Sequence, residues 1–172
     1  MIKSDLRKGE IGEFYAGYVN RIPNDAELIQ TLKDNSEDFS SFLKSIPKDK
    51  WQYRYAPEKW SILEMVQHII DTERIFQYRA LCFARNEKKS LPGFDHDIFV
   101  LNSDAEKRDS ESLIEEFEIV RKSCLFLYKS FSEDRLKIEG NMNDVIATPR
   151  AIGFIMAGHV LHHIEIINSK YL

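Results

Sequence analysis

GHVLHHIEII (residues 158–167) is the stretch on which the reading of this chain turns. His159 and His163 stand four residues apart, just over one helical turn, so on a helix both imidazoles leave the same side about 40° apart. Ile152, Ile155, Met156, Ile166 and Ile167 fall on that face by the 3.6-residue period, which marks it as a core stripe with two histidines near its centre. A buried polar group without a partner costs about 1–3 kcal/mol. Two imidazoles inside a core stripe therefore need partners, and either a shared metal ion or a hydrogen-bonded buried pair would supply them.

Working outward, Thr148 is an acceptable N-cap with Pro149 at the first helical position, where its missing N–H is harmless. The spacing predicts a helix from there to within a few residues of Leu172. Ser61-Ile62-Leu63-Glu64 reads as a capping box that opens a second helix running to about Asn86, with Ile62, Met65, Ile69, Phe76, Ala80 and Phe83 on its core face. Asn24…Glu27 resembles another capping box, ahead of Leu28, Leu32, Phe39, Leu43 and Ile46, and Pro47 stops that run. A further helix begins between Ser103 and Ser110 and continues through Leu113, Phe117, Val120, Cys124, Leu127 and Phe131. Four helices of roughly 20 to 27 residues, with no convincing strand, predict an all-α four-helix bundle.

The remaining segments carry their own signals. The links at 47–60, with Trp51, Tyr53, Tyr55 and Trp60, and at 87–103, containing LPGFDHDIFV, are long enough to cover or line something. Residues 1–23, with Phe14, Tyr15, Tyr18 and Val19, are too apolar for a free tail and are expected to pack on the bundle within a single domain of residues 1–172.

Composition narrows the function. The 172 residues are 43% hydrophobic and 30% charged, as in an ordinary globular protein, and the net charge of −4 with no basic cluster argues against nucleic-acid binding. No apolar run reaches the length of a membrane span, and the charged N-terminus lacks the apolar region of a signal peptide. Cys82 and Cys124 have no zinc-ribbon spacing and read as reduced thiols of a cytoplasmic protein.

A bundle builds metal sites from inward side chains on facing helices. If His159 and His163 supply two ligands, His68, midway along the second helix, is the candidate third. Three neutral imidazoles suit Zn(II), Ni(II) or Fe(II) and leave coordination positions open, as catalytic sites do. The chain lacks HExxH, since Val160 follows His159, so a metalloprotease is not expected. His162 points off the stripe centre and either replaces His159 or supports the ligands from behind. His96 reads as a solvated loop histidine or a residue at a pocket mouth. Asp71, Glu73 and Arg74 read as an exposed helix face or as groups that orient an imidazole. Cys124 has no activating base near it in sequence, and there is no phosphate loop, nucleophile elbow or dinucleotide fingerprint.

KWSILEMVQHIIDTERIFQYRALCFAR (59–85), LPGFDHD (91–97), EEFEIVRKS (115–123) and AGHVLHHIEII (157–167) together resemble the DinB superfamily, in particular its small bacterial members, over nearly the whole chain. The resemblance implies a four-helix bundle with helices ordered up-down-down-up, a homodimer, and a divalent metal held by His68, His159 and His163. It also implies chemistry of the kind seen in relatives that transfer or use low-molecular-weight thiols such as bacillithiol or mycothiol. The sequence thus predicts a metal-dependent enzyme joining such a thiol, as cosubstrate, to an electrophilic small molecule. Two alternatives stand beside it: a metal-dependent hydrolase with a loop base such as Asp95 or Asp97, and a non-catalytic metal-binding stress-response protein. Phe154, Ala157, Leu161 and Ile164 make the last helix apolar on its other faces too, so either the N-terminal segment or a second subunit must cover them.

Overall fold

Helices α2 (Leu28–Ser45), α3 (Ile62–Ala84), α5 (Ser110–Lys129) and α7 (Pro149–Lys170) form the bundle. The computed structural model describes residues 1–172 and adds three shorter helices, α1 (Glu13–Val19), α4 (His96–Leu101) and α6 (Glu133–Leu136), and two short strands, β1 (Gly140–Met142) and β2 (Val145–Ala147). Contacts give the helix directions. Phe39 packs on Phe117 and Asn35 meets Arg121, so α2 and α5 are antiparallel. Arg74 pairs with Glu116 and Gln77 reaches the Val120 carbonyl, so α3 and α5 are parallel. Asn35 donates to the Ala157 carbonyl and Leu28 lies against Gly153, so α2 and α7 are parallel. Tyr171 at the end of α7 donates to the Trp60 carbonyl ahead of α3, so those two are antiparallel. The order is up-down-down-up.

That order explains the long link between α3 and α5. Parallel neighbours need a connection that returns the length of a helix, and a 23-residue helix is about 35 Å long. Residues 85–109 make that return and carry α4, which begins at the Asp95 cap. Leu91 in the link exchanges hydrogen bonds with Asn141 and Asn143 of the hairpin, which ties the return path down.

Start signals decide the helix ends. Ser61 and Glu64 form the capping box of α3, and Thr148 caps α7 ahead of Pro149. Asp109 caps α5, while residues around Ser103 form only a turn of 3-10 helix. Two expectations need correction. Asn24 is not the cap of α2: Glu27 is, accepting from the Gln30 N–H, because Asn24 and Asp25 are taken up in a turn closed by the Ala26 N–H on the Pro23 carbonyl, and Glu27 is paired with Ile2 of the N-terminus by the Lys3–Ala26 and Leu28–Met1 backbone bonds. A hairpin also exists where no strand was expected. It pairs Gly140 with Ala147 and Met142 with Val145 around Asn143 and Asp144, both at positive φ, the conformation that a two-residue hairpin turn requires.

Two apolar clusters make the core. One joins Phe76, Phe83, Ile155 and Met156 to Val19 and Leu28; the other joins Met65, Ile69, Val160 and Ile167 to Phe39 and Phe117. The segment of α7 from 155 to 167 bridges them, and its histidines sit at the junction. Phe154 and Ala157 are fully buried, covered by α1 and α2 within the chain. The first half of that face of α7 therefore has an internal partner, whereas Leu161 and Ile164 further along are only half-buried. No helix is long and apolar enough to cross a membrane.

Candidate metal centre

His68 projects from the second turn of α3, and His159 and His163 from the middle of α7. All three are buried. Their Nε2 atoms point at one another: His68 lies 3.1 Å from His159, and His163 lies 2.9 Å from His159. One ring nitrogen from each of the three falls within 4.8 Å of the others. The helix period alone brings His159 and His163 together; the antiparallel packing of α3 on α7 adds His68.

Burial pulls all three imidazoles toward the neutral form. It holds His68 down to about 4, with His96 adding to the effect. His159 and His163 lie well below the usual histidine range, through burial first and then through the neighbouring histidines. Neutral imidazoles keep a lone pair for a ligand, as metal binding requires. A ring nitrogen carries either one proton or one lone pair, so His159 Nε2 cannot satisfy both neighbours as a hydrogen-bond partner. A cation among three lone pairs satisfies all of them. Ligand atoms about 2.0–2.1 Å from one ion stand about 3.0–3.4 Å apart, close to the two spacings that His159 Nε2 makes. The residues present thus fit a divalent ion.

The nitrogens facing away are less well served. His68 Nδ1 lies 3.5 Å from Thr72 Oγ1, and His163 Nδ1 is buried with no hydrogen-bond partner. Asp71, Glu73 and Arg74 orient no imidazole. Asp71 accepts from Gln67, Arg74 pairs with Glu116, and Glu73 is a buried partner of Arg121.

The three histidines form one wall of a cavity of about 550 Å³. Tyr15 and Tyr18 of α1, Trp60, Phe76 and Phe94 give it an aromatic lining, and Asn143 and Val145 of the hairpin close one side. No aspartate, glutamate or cysteine lines it. His162 also reaches the cavity. It stands outside the converging set, with Arg21 3.3 Å from its Nδ1 and Tyr18 against its ring. His96 is exposed but at the cavity mouth, its ring 5.9 Å from that of His68 and 5.8 Å from that of Trp60. Asp95 is engaged as the α4 cap, and Asp97, largely exposed, lines a smaller neighbouring pocket with Trp60 and His163, so neither lines this cavity. Cys124 is buried beside Glu73, and burial pushes its thiol up, out of the reactive range.

Sequence reasoning missed Tyr15, Tyr18 and Arg79 as cavity residues. The signal for Arg79 was present, because His68, Thr72, Phe76 and Arg79 recur at helical spacing on α3. For the tyrosines there was none, since only the docking of α1 on α7 brings them there.

A sequence model of the DinB superfamily matches residues 31–167. The chain belongs to the DinB superfamily. Among solved structures, YfiT from Bacillus subtilis, described as a probable metal-dependent hydrolase with an unusual four-helix bundle topology, superposes with a TM-score of 0.71. It is 15% identical, over 86% of this chain and 89% of that one. The mycothiol-dependent maleylpyruvate isomerase gives a TM-score of 0.66 at 11% identity, over 86% of this chain and 61% of that one. No curated protein matches by sequence. At these identities the two structures establish for this DinB-superfamily chain the shared bundle.

Proposed function

We propose that His68, His159 and His163 hold a divalent ion, Zn(II), Ni(II) or Fe(II), and that the protein is a cytoplasmic enzyme transferring a low-molecular-weight thiol to an electrophilic small molecule. The observation that carries this reading is the make-up of the cavity wall: three neutral nitrogen donors and neither a carboxylate nor a cysteine. A dipositive ion held by neutral ligands keeps its full charge, and when bound it would favour the thiolate form of a thiol at neutral pH. With no nucleophile of its own on the wall, the chain depends on one that enters with the substrate. Its residues then bind and orient: Trp60 and Tyr18 pack on the rings of His68 and His159 and hold them, while the aromatic lining excludes water from an apolar substrate. The similar structure described as mycothiol-dependent supports the use of a thiol, and the one described as a probable metal-dependent hydrolase supports metal dependence and the second reading below.

A metal-dependent hydrolase is the second reading. His162 favours it, as a cavity residue whose pKa is lowered by burial and by Arg21, and so a neutral imidazole available to take a proton. A non-catalytic metal-binding role needs a closed coordination set, and no fourth metal-binding side chain joins the three histidines. The homodimer implied by the resemblance would use a surface other than the covered Phe154–Ala157 part of α7, and light scattering at micromolar concentration reads it directly.

The test is conjugation of monochlorobimane to glutathione, cysteine, coenzyme A and bacillithiol by metal-loaded protein. Activity that disappears with chelation and in His163→Ala supports the transferase. Ester or amide hydrolysis without thiol transfer replaces it with the hydrolase.

A further inference from the structure

Arg79, Arg121 and Arg150 are buried, and they differ in one respect. Arg121 is neutralised by both carboxylate oxygens of Glu73, and Arg150 by Glu10. Arg79 has no carboxylate. It donates to the Pro92 carbonyl at 2.8 Å and toward Met142 Sδ at 3.9 Å, and it lies over the rings of Phe76 and Phe94. Every one of these partners is neutral. Guanidinium groups stay charged in proteins, and a buried charge without a counter-charge is costly to keep.

Where Arg79 sits says what its counter-charge would be. It lines the cavity of the three histidines, on the same strip of α3 as His68 and about 16 Å along the helix axis from it. Two of the guanidinium's N–H groups are engaged by Pro92 and Met142 and the Tyr15 side chain is a further neutral neighbour, yet a guanidinium has five. No other lysine or arginine lines that cavity, and no acidic residue does. One uncompensated positive charge, with donors to spare and aromatic walls around it, matches one negative charge on an apolar body. A phosphate monoester, with nearly two charges, would leave one of them without a counter-charge on this wall.

We propose that Arg79 binds the carboxylate of the substrate, which is an apolar carboxylic acid of aromatic size. The acid lies with its carboxylate on the guanidinium and its reacting carbon toward the histidines. Only that last orientation rests on the function proposed above; the carboxylate preference rests on Arg79 alone.

Calorimetric titration of the full chain, stripped of metal by chelator and then zinc-loaded, tests the assignment with matched probes: cinnamate against cinnamamide, phenylacetate against phenylacetamide, and phenyl phosphate. A charge-assisted pair predicts that at least one acid binds the metal-free protein about tenfold or more tighter than its amide. The preference disappears in Arg79→Gln and survives in part in Arg79→Lys, and Arg79→Gln still takes up zinc. Acids binding no better than amides, or no binding by any probe, overturns the proposal. So does a preference that persists in Arg79→Gln, that appears only with zinc loaded, or that goes to phenyl phosphate over every acid. The comparison of acid with amide needs no variant, so a misfolded substitution leaves it intact. Failure of the wild-type chain to take up zinc would sink the metal reading while leaving the carboxylate preference standing.

Discussion

Gly158 lies so close to Tyr18 that a methyl group added there would overlap the Tyr18 carbonyl oxygen. The glycine precedes His159, so this close approach of α1 to α7 is one residue from the histidine cluster. Gly158→Ala gains up to about 1 kcal/mol of helix propensity, but overpacking against backbone costs about 1–3 kcal/mol. The clash wins, because a carbonyl in a packed segment cannot swing aside as a side chain would. The substitution is expected to lower the urea midpoint, push α1 off α7 and leave the bundle helical by circular dichroism. Unchanged stability with unchanged exchange protection over residues 13–19 would contradict it.

Alanine at His68, His159 or His163 is expected to abolish tight zinc uptake while leaving a helical protein. Zinc raises the Tm of the wild-type chain, since a ligand bound only by the folded state stabilises it by mass action. Competition with a chromogenic chelator measures the loss. An alanine variant that keeps its zinc would remove that histidine from the set.

Acid should destabilise the metal-free protein in a defined window. In the unfolded chain a histidine titrates near 6.5, whereas the folded state holds His68 down to about 4 and His159 and His163 well below 6.5. As pH falls below about 6.5 the unfolded state takes up protons first, so stability present above 6.5 is lost toward the folded value. His68 alone accounts for about 3 kcal/mol across that range. Urea midpoints at pH 7.5 and pH 5 read about 2 kcal/mol of it, since pH 5 still lies above the folded value, and His68→Gln should flatten the slope.

Glu10→Gln is expected to cost about 3–5 kcal/mol. Glu10 is buried against Arg150 and also accepts from Thr148, the cap of α7, so its loss leaves a buried guanidinium without its counter-charge. The loss should appear as a lower Tm and as proteolysis within the first 27 residues before the bundle is cut.

Much of the bundle was legible in the sequence, because four long helices announce themselves by period and cap. Ser61 with Glu64, and Thr148 with Pro149, marked two helix starts correctly. The histidine pair on α7 was legible for the same reason; His68 followed as the candidate third from the way bundles place inward side chains on facing helices, and the family resemblance agreed. What escaped depends on contacts between distant segments. Asn24 lost the cap of α2 to Glu27 once the N-terminus had paired with residues 24–28. The strands of the hairpin are three residues each, too short for an alternating pattern to stand out, although Asn143-Asp144 is a turn signal. Glu73 looked like part of a charged surface until the fold set it against Arg121.

All three histidines fall within the stretch matched by the superfamily, residues 31–167, whereas Phe14, Tyr15 and Tyr18 come before it. The cavity is thus assembled from two pieces of chain with different obligations. The histidines belong to helices that also build the core, so little can change around them without unsettling the bundle. The leading segment packs along α7, with Tyr15 on Phe76 and Tyr18 on His159, but Phe14 stands largely exposed at the cavity and is free of that duty. A bundle of this kind is open to re-tailoring at one point: exchanging Phe14 would reshape what the cavity admits and leave the histidine cluster in place.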